Sequence, residues 1–366
     1  MSSRLAWTYK RLHDAINYRL RTAAGGRWAS YCRPAWITFL LTELCNARCV
    51  HCYIWKNKGP EEAPTAEQWK TVLRDLRGWL GPAHVCFSGG EALLRPFTVD
   101  LVAYSSSIGL FPELLTHGYW DDQSKIEQLA LARPWRVTVS LDGMGETHTL
   151  IRGRERFFEK TSRTIETLQR MRKERGLDFS IRLKTVIMAQ NLDDVSEIAR
   201  FASQEGMDVL YQPIVQTYNT AEDASWYQQA ETWPGDPEKA ARSVEGLIAL
   251  KREGASIANT EADLESMIAY FRRPDAWRVA TEAHTADQAR LCAALTTLQF
   301  QANGDVTVCS SMPPVGNIKQ APIREIWKQR PQFWVEGCCI PKRCAPAELE
   351  VMQEVNRGLV QMPGSR

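Results

Sequence analysis

The sequence contains no uninterrupted apolar run of the roughly 18 residues that a membrane-crossing helix needs. Charges are scattered through its first thirty residues, so a cleavable secretory signal is not read from it either. Net charge is nearly absent. Forty-five Lys and Arg stand against 43 Asp and Glu, which gives no general reason to expect a nucleic-acid partner. Acid is scarce in one region only: residues 1–60 hold ten Lys or Arg and two Asp or Glu, so the rest of the chain carries 35 against 41. Internal repeats and low-complexity tracts are also lacking. What remains is an ordinary globular composition, 44% hydrophobic and 24% charged over 366 residues, which excludes bulk disorder and allows one large or two medium domains. Thirteen tryptophans imply large apolar surfaces, in the core or in a roomy pocket. Ten cysteines without a secretory signal point to a reducing, cytoplasmic setting, where clustered cysteines hold metal rather than form disulfides.

From Trp36 to Ile214, β-like apolar runs alternate with amphipathic stretches. The runs are Trp36–Thr42, His84–Phe87, Glu113–Thr116, Arg136–Leu141, Ser180–Met188 and Asp208–Ile214; the helical stretches lie near 65–80, 97–109, 121–132, 159–176 and 192–205. Asn191 is the expected N-cap of the last. Six strands separated by helices predict a parallel α/β sheet with right-handed crossovers, whose chemistry sits where the strands end. Residues 217–290 read as a helical connector with helices near 238–253 and 260–272. Leu298 to Val308 then reads as a hairpin turning at Asn303-Gly304. In the first 34 residues Leu5, Tyr9, Leu12, Ile16 and Leu20 form one helical stripe, with Arg4, Lys10, Arg11, Arg19 and Arg21 largely elsewhere. A helix packed on the body is the first expectation for 4–22, and contact with a membrane surface the second.

Glu43 to Tyr53 follows the first strand and spaces Cys45, Cys49 and Cys52 as C-x3-C-x2-C. Three such thiolates can wrap one face of a cubic iron–sulfur cluster, because soft thiolates suit iron. A [4Fe–4S] cluster then keeps one iron without a protein ligand, where a small molecule bearing an amine and a carboxylate can chelate. Zinc and inert thiols are the competing readings. Structural zinc takes four ligands, and His51, between two of the cysteines, is badly placed to be the fourth.

These residues resemble the hallmark of the radical S-adenosylmethionine (radical SAM) enzymes, C-x3-C-x-aromatic-C. The resemblance continues strand by strand over about 45–215 and implies a partial (β/α)6 TIM-like barrel. Ser88-Gly89-Gly90-Glu91, ending the second strand, resembles the family's G-G-E motif, which holds the methionine amino group of S-adenosylmethionine; Ala92 stands where the family usually has Pro. Two glycines allow close backbone approach, and a carboxylate pairs with an ammonium. Val139 to Gly143, then His148 and Arg152-Gly153, resembles the run S-L-D-G…H…R-G. It implies that Ser140 contacts the ribose and Arg152 the methionine carboxylate. Thr185-Val186 and Gln212-Pro213 fall where the family flanks the adenosine. Thr116-His117-Gly118 replaces a more usual T-N-G.

Near the other end, Cys292-x11-Gly304-x4-Cys309, Gly316-Asn317-Ile318, Ile326-Trp327 and Cys338-Cys339-x4-Cys344 resemble the SPASM or twitch extension of radical SAM enzymes. Five cysteines suffice for one closed cluster with one left over. The expected ligands of this auxiliary [4Fe–4S] cluster are Cys292, Cys309, Cys339 and Cys344, with zinc as the alternative. Cys32 and Cys86 read as buried structural thiols. The expected organisation is an N-terminal basic amphipathic helix (1–34), the partial barrel (35–216), a helical connector (217–290), the auxiliary-cluster region (291–346) and a tail (347–366).

The resemblance implies reductive cleavage of S-adenosylmethionine to a 5′-deoxyadenosyl radical that takes hydrogen from a substrate. A reductant such as flavodoxin or ferredoxin supplies the electron. Oxidation, bond formation or epimerisation follows, according to the fate of the substrate radical. A ribosomally made peptide ranks first as substrate, then a small natural-product or cofactor precursor, then a lipid or sugar. A non-catalytic iron–sulfur electron carrier is the reading from another class, but it would not need the G-G-E and S-L-D-G runs. No general base or hydrogen donor is assigned. The Tyr211–Tyr218 stretch and Asp305 lie near the right strand ends but read as structural residues.

Overall fold

The computed structural model describes residues 3–22, 28, 31–217, 220, 223, 225–274, 295–309 and 313–330. The apolar runs become six parallel strands: β1 (Trp36–Leu40), β2 (His84–Ser88), β3 (Phe111–Thr116), β4 (Arg136–Ser140), β5 (Ser180–Ile187) and β6 (Asp208–Pro213). Each pairs with its sequence neighbour, in the order β6-β5-β4-β3-β2-β1. Helices α2 (Ala66–Leu80), α3 (Thr98–Ser107), α4 (Ser124–Leu131), α6 (Phe157–Glu174) and α7 (Val195–Gln204) carry the crossovers. This is the parallel α/β sheet that the alternation predicts, left open as in the partial barrel that the resemblance implies. Along β5, Ile181, Leu183, Thr185 and Ile187 are buried, whereas Arg182, Lys184 and Val186 face the other way, as the two-residue period of a strand requires.

The hairpin does not stand apart from the barrel. Its strands β7 (Thr297–Phe300) and β8 (Asp305–Thr307) are antiparallel, and β7 lies parallel to β1 with Trp36 opposite Thr297 and Phe39 opposite Phe300. With β9 (Gly316–Asn317) the sheet reaches nine strands among the described residues. Without β7, β1 would present an open edge. The seam is apolar: Phe39 stacks on Phe300 at 4.4 Å, and Trp69 meets both edge-on. At the opposite edge α8 (Pro237–Arg252) packs on α7 and on α9 (Glu261–Arg272), and the segment between α8 and α9 runs along β6, where Ile257 bridges Val209 and the Asn259 side chain bonds the Tyr211 backbone N–H and C=O at 2.8 and 3.0 Å. The stretch read as a connector therefore walls that side of the barrel.

Three local readings change. Asn191 is not the N-cap of α7: its amide accepts from Met188 N–H and donates to the carbonyls of Asp142 and Val186, tying the ends of β4 and β5. Helix α5 (Glu146–Arg152), seven residues long, is too short to show a period, and the sequence does not announce it. Helix α1 (Ser3–Thr22) is packed on the body, but its apolar stripe is divided between the body and the surface. Tyr9 Oη donates to the Leu80 carbonyl at 2.6 Å and Asn17 exchanges two 3.0 Å bonds with the Arg33 backbone, while Leu12 and Ile16 stay exposed. Among the described residues no helix is long and apolar enough to cross a membrane.

Candidate functional site

At the C-terminal ends of the parallel strands a cavity of about 260 Å³ opens. Cys45, Cys49 and Cys52 line it from the loop after β1. Ser88, Gly89 and Gly90 line it from β2, Ser140 from β4, Val186 from β5 and Gln212 from β6. Residues drawn from four strand ends and one loop thus meet at a single hollow.

Backbone packing holds the cysteine loop. Gly90 N–H donates to Thr42 O at 2.8 Å and Glu91 N–H to Leu44 O at 2.9 Å, while Arg48 and Val50 N–H donate to the carbonyls of Arg152 and Ile151. A Cβ on Gly89, Gly90 or Gly153 would sit 2.3 Å from Thr42 O, Leu44 O or Arg48 O respectively. The glycines of the G-G-E run are therefore demanded by the chain's own Thr42–Leu44 segment, in addition to facing the cavity.

Glu91 does not line the cavity. Its buried carboxylate accepts from Leu93 N–H, Thr116 Oγ1 and His117 N–H at 2.9–3.1 Å and lies 3.2 Å from His117 Nε2. Burial pushes this carboxyl up to about 7 despite those bonds. It fixes the end of β2 to the end of β3, and the unusual His117 completes the clamp by reaching Asn46 Oδ1 at 2.8 Å in the cysteine loop.

Arg152 lines the cavity but is already engaged. It pairs with buried Asp142 at 2.6 Å and donates to Cys49 Sγ at 3.6 Å. Asp142 in turn accepts from Val186 N–H, and its own N–H donates to His148 Nδ1. Burial lowers His51 to about 4 and both His117 and His148 to about 3, so these imidazoles are neutral at pH 7. Burial also pushes Cys45 up to about 12 and raises Cys49 and Cys52.

The sequence reading overlooked Lys184 and Trp55. Lys184 lines the cavity opposite Ser140 in the β4–β5 register, and among the described residues no carboxylate lies within ion-pair distance of it. Its signal was present: it is a charged residue inside an apolar strand, two positions before Val186. Burial lowers its pKa, a pull that nearby Cys86, Glu113 and Asp142 oppose. Among the described residues the buried Trp55 indole N–H and His51 Nδ1 have no hydrogen-bond partner, and both residues line the same cavity.

The remaining candidates lie elsewhere. Tyr211 is in the core with Oη on the Val195 carbonyl, and Asp305 bonds Asn303 and Asn317 within the hairpin. Cys32 is buried as expected, while Cys86 is only half-buried, on the side of β2 that faces Lys184 and Glu113. Cys309 follows β8 and is partly buried. Cys292, Cys338, Cys339, Cys344 and Tyr218 fall outside the described residues.

The donor set fits an iron–sulfur cluster better than a lone ion. Among the described residues no three His, Cys, Asp or Glu side chains converge on one point. A cubic cluster does not ask for that, since each cysteine addresses a different iron. The unpartnered polar atoms and the spare cation around the thiols suit a polar, partly anionic ligand beside such a cluster.

A profile of the radical SAM superfamily matches residues 39–202, and one of an iron–sulfur cluster-binding domain, SPASM, matches residues 292–343. An AdoMet-dependent heme synthase of Methanosarcina barkeri is 28% identical over 313 residues, 82% of this chain and 84% of the relative. The sporulation killing factor maturation protein SkfB of Bacillus subtilis is 29% identical over 202 residues, 55% of this chain and 46% of the relative. In fold the chain is similar to Streptococcus suis SuiB bound to S-adenosylmethionine, with a TM-score of 0.60 at 16% identity, covering 81% of this chain and 66% of SuiB. A second SuiB structure holds the precursor peptide SuiA and matches with the same score.

Proposed function

This chain belongs to the radical SAM superfamily and carries an iron–sulfur domain of the SPASM type, and from that premise we propose which residues run its chemistry and on what. Cys45, Cys49 and Cys52 hold the [4Fe–4S] cluster with the open iron. When bound there, the cluster and S-adenosylmethionine would supply, with one electron from an external reductant, the radical chemistry that removes hydrogen from a substrate. The chain's own residues bind, orient and exclude water. Ser88, Gly89 and Gly90 offer backbone and hydroxyl groups to the methionine end, with Glu91 holding that turn in place. Ser140, Val186 and Gln212 flank the nucleoside. Arg152 is neutralised by Asp142, so Lys184 is the cation left for a carboxylate. Cys292, Cys309, Cys339 and Cys344 hold one auxiliary cluster.

The observation that carries this reading is the meeting of the three cysteines with Ser88–Gly90, Ser140, Val186 and Gln212 around one cavity. For the substrate, a relative that aligns along most of both chains is named a heme synthase. We therefore place a carboxylate-bearing cofactor precursor of the tetrapyrrole type first. A ribosomally made peptide is the second reading, favoured by the maturation protein among the relatives. Anaerobic incubation of the reconstituted protein with S-adenosylmethionine and dithionite tests the assignment, following 5′-deoxyadenosine by mass spectrometry. The parent should make it and Cys49→Ala should not; equal production by both would sink the cysteine assignment. Iron-coproporphyrin and synthetic precursor peptides, added in turn, separate the two substrate readings by which of them changes mass.

A further inference from the structure

The described surface carries an apolar feature that the chemistry of the cavity does not use. On α1, Leu12 and Ile16 are 59% and 49% exposed. They lie four residues apart, on one face of the helix, and the helical period puts half-buried Leu20 beside them. Helix α1 is not loose, because its neighbouring face is bonded to Leu80 and Arg33 through Tyr9 and Asn17. The stripe is thus held outward rather than waiting to fold inward.

Charge beside the stripe identifies what it meets. Exposed Arg19 borders it and exposed Arg11 lies further round the same side. The helix's one carboxylate, Asp14, falls on the far side and lies 4.0 Å from His13. The chain ahead of β1 holds seven Lys or Arg against one carboxylate, the reverse of the balance beyond residue 60. Beyond the helix, Tyr31 and Trp36 are 65% and 61% exposed, aromatic types that favour the interface between lipid headgroups and acyl chains. An apolar stripe flanked by arginine and accompanied by exposed aromatics is the composition of a helix lying in an anionic lipid surface.

We propose that the α1 end of this protein docks on an anionic lipid surface with Leu12 and Ile16 entering the headgroup layer. The fold then fixes the orientation. Tyr9 and His13 border a small hollow with Ala35, Ile37, Leu80 and His84, at the N-terminal ends of β1 and β2. The cysteine-lined cavity opens at the C-terminal ends, about 16 Å away along a five-residue strand. Docking leaves the cavity facing away from the membrane, so it localises the enzyme without making the bilayer its source of substrate.

Co-sedimentation of the full, cluster-loaded chain with phosphatidylcholine vesicles, with and without phosphatidylglycerol, tests this. Binding is expected only where phosphatidylglycerol is present, and high salt should release it. Arg11→Gln and Arg19→Gln should each weaken it about fivefold, the equivalent of ~1 kcal/mol per charge at a lipid surface. Leu12→Asp with Ile16→Asp should abolish it while basal 5′-deoxyadenosine formation continues, which shows that the fold survives. Failure of the parent to bind phosphatidylglycerol vesicles would overturn the proposal. So would equal binding by the Asp variant. A variant that melts earlier, beside a parent that ignores vesicles, would assign the stripe to another part of this chain or to a protein partner, and that too overturns it.

Discussion

Single side chains decide what the cavity accepts, and Lys184 is the sharpest case. Arg152 carries the resemblance to the family's carboxylate ligand, yet its guanidinium is held by Asp142 at 2.6 Å. A cation already neutralised by a buried carboxylate attracts a second one weakly, whereas Lys184 lines the cavity with no carboxylate within ion-pair distance among the described residues. Lys184→Met keeps the length of the stem and removes the charge. It should raise the KM for S-adenosylmethionine at least tenfold, the worth of about 1.4 kcal/mol, and leave cluster iron and the thermal midpoint unchanged. Steady-state deoxyadenosine formation at varied S-adenosylmethionine gives the answer. A KM that moves only for Arg152→Met would return the role to Arg152. The cysteines, the glycines and Ser140 could be read from the sequence because each sits in a spaced motif. Lys184, Trp55 and the Glu91–His117 clamp could not, because their meaning comes from neighbours 25 to 130 residues away.

Elements were legible where their period is long and their burial one-sided. All six parallel strands appear within about two residues of their apolar runs, and α2 begins where Thr65 and Gln68 form a capping box. What the pattern could not give was which polar groups tie the strands together inside the barrel. Glu113 on β3 is one such tie. It accepts from His84 Nε2 on β2 at 2.8 Å and from Thr138 on β4, with Arg136 at 3.9 Å. Burial works against its charge, but His84, Arg136 and Thr138 together outweigh burial and hold the carboxyl at about 2, below its ordinary 4.5. A depressed carboxyl stabilises the fold above its unfolded pKa, and that contribution is lost as pH falls from about 4.5 towards 2. The shift corresponds to roughly 3 kcal/mol. Urea unfolding of the iron-free chain should show stability falling over that window, and Glu113→Gln should be weaker at pH 7 and flatter below pH 5. A variant as steep as the parent would mean that other carboxylates carry the acid transition.

At the scale of the whole molecule, the sheet joins two regions that the sequence presents as separate. Residues 35–216 and the hairpin beginning at Thr297 share one backbone ladder through β1 and β7, and Phe39, Phe300 and Trp69 close the seam. The hairpin turn at Asn303-Gly304 was readable; its partner across some 260 residues was not, because a parallel pairing leaves no local trace. This continuity constrains the auxiliary cluster. Cys309 leaves the sheet directly after β8, so a cluster held there is anchored to the same ladder as the loop of Cys45, Cys49 and Cys52, yet the two sites have no ligand in common. They should therefore load independently. The parent should bind about eight irons per chain, and a chain with Cys45, Cys49 and Cys52 all changed to Ala about four, the content of one four-iron cluster. Cys309→Ala should lose the other four and still cleave S-adenosylmethionine without substrate, since Cys309 does not line the cavity. Iron analysis beside electron paramagnetic resonance of the reduced forms distinguishes these states. A parent holding four irons, all lost with the triad, would leave the SPASM domain of this chain without a cluster of its own. Loss of all iron in Cys309→Ala would instead mean that the ladder transmits the damage from one site to the other.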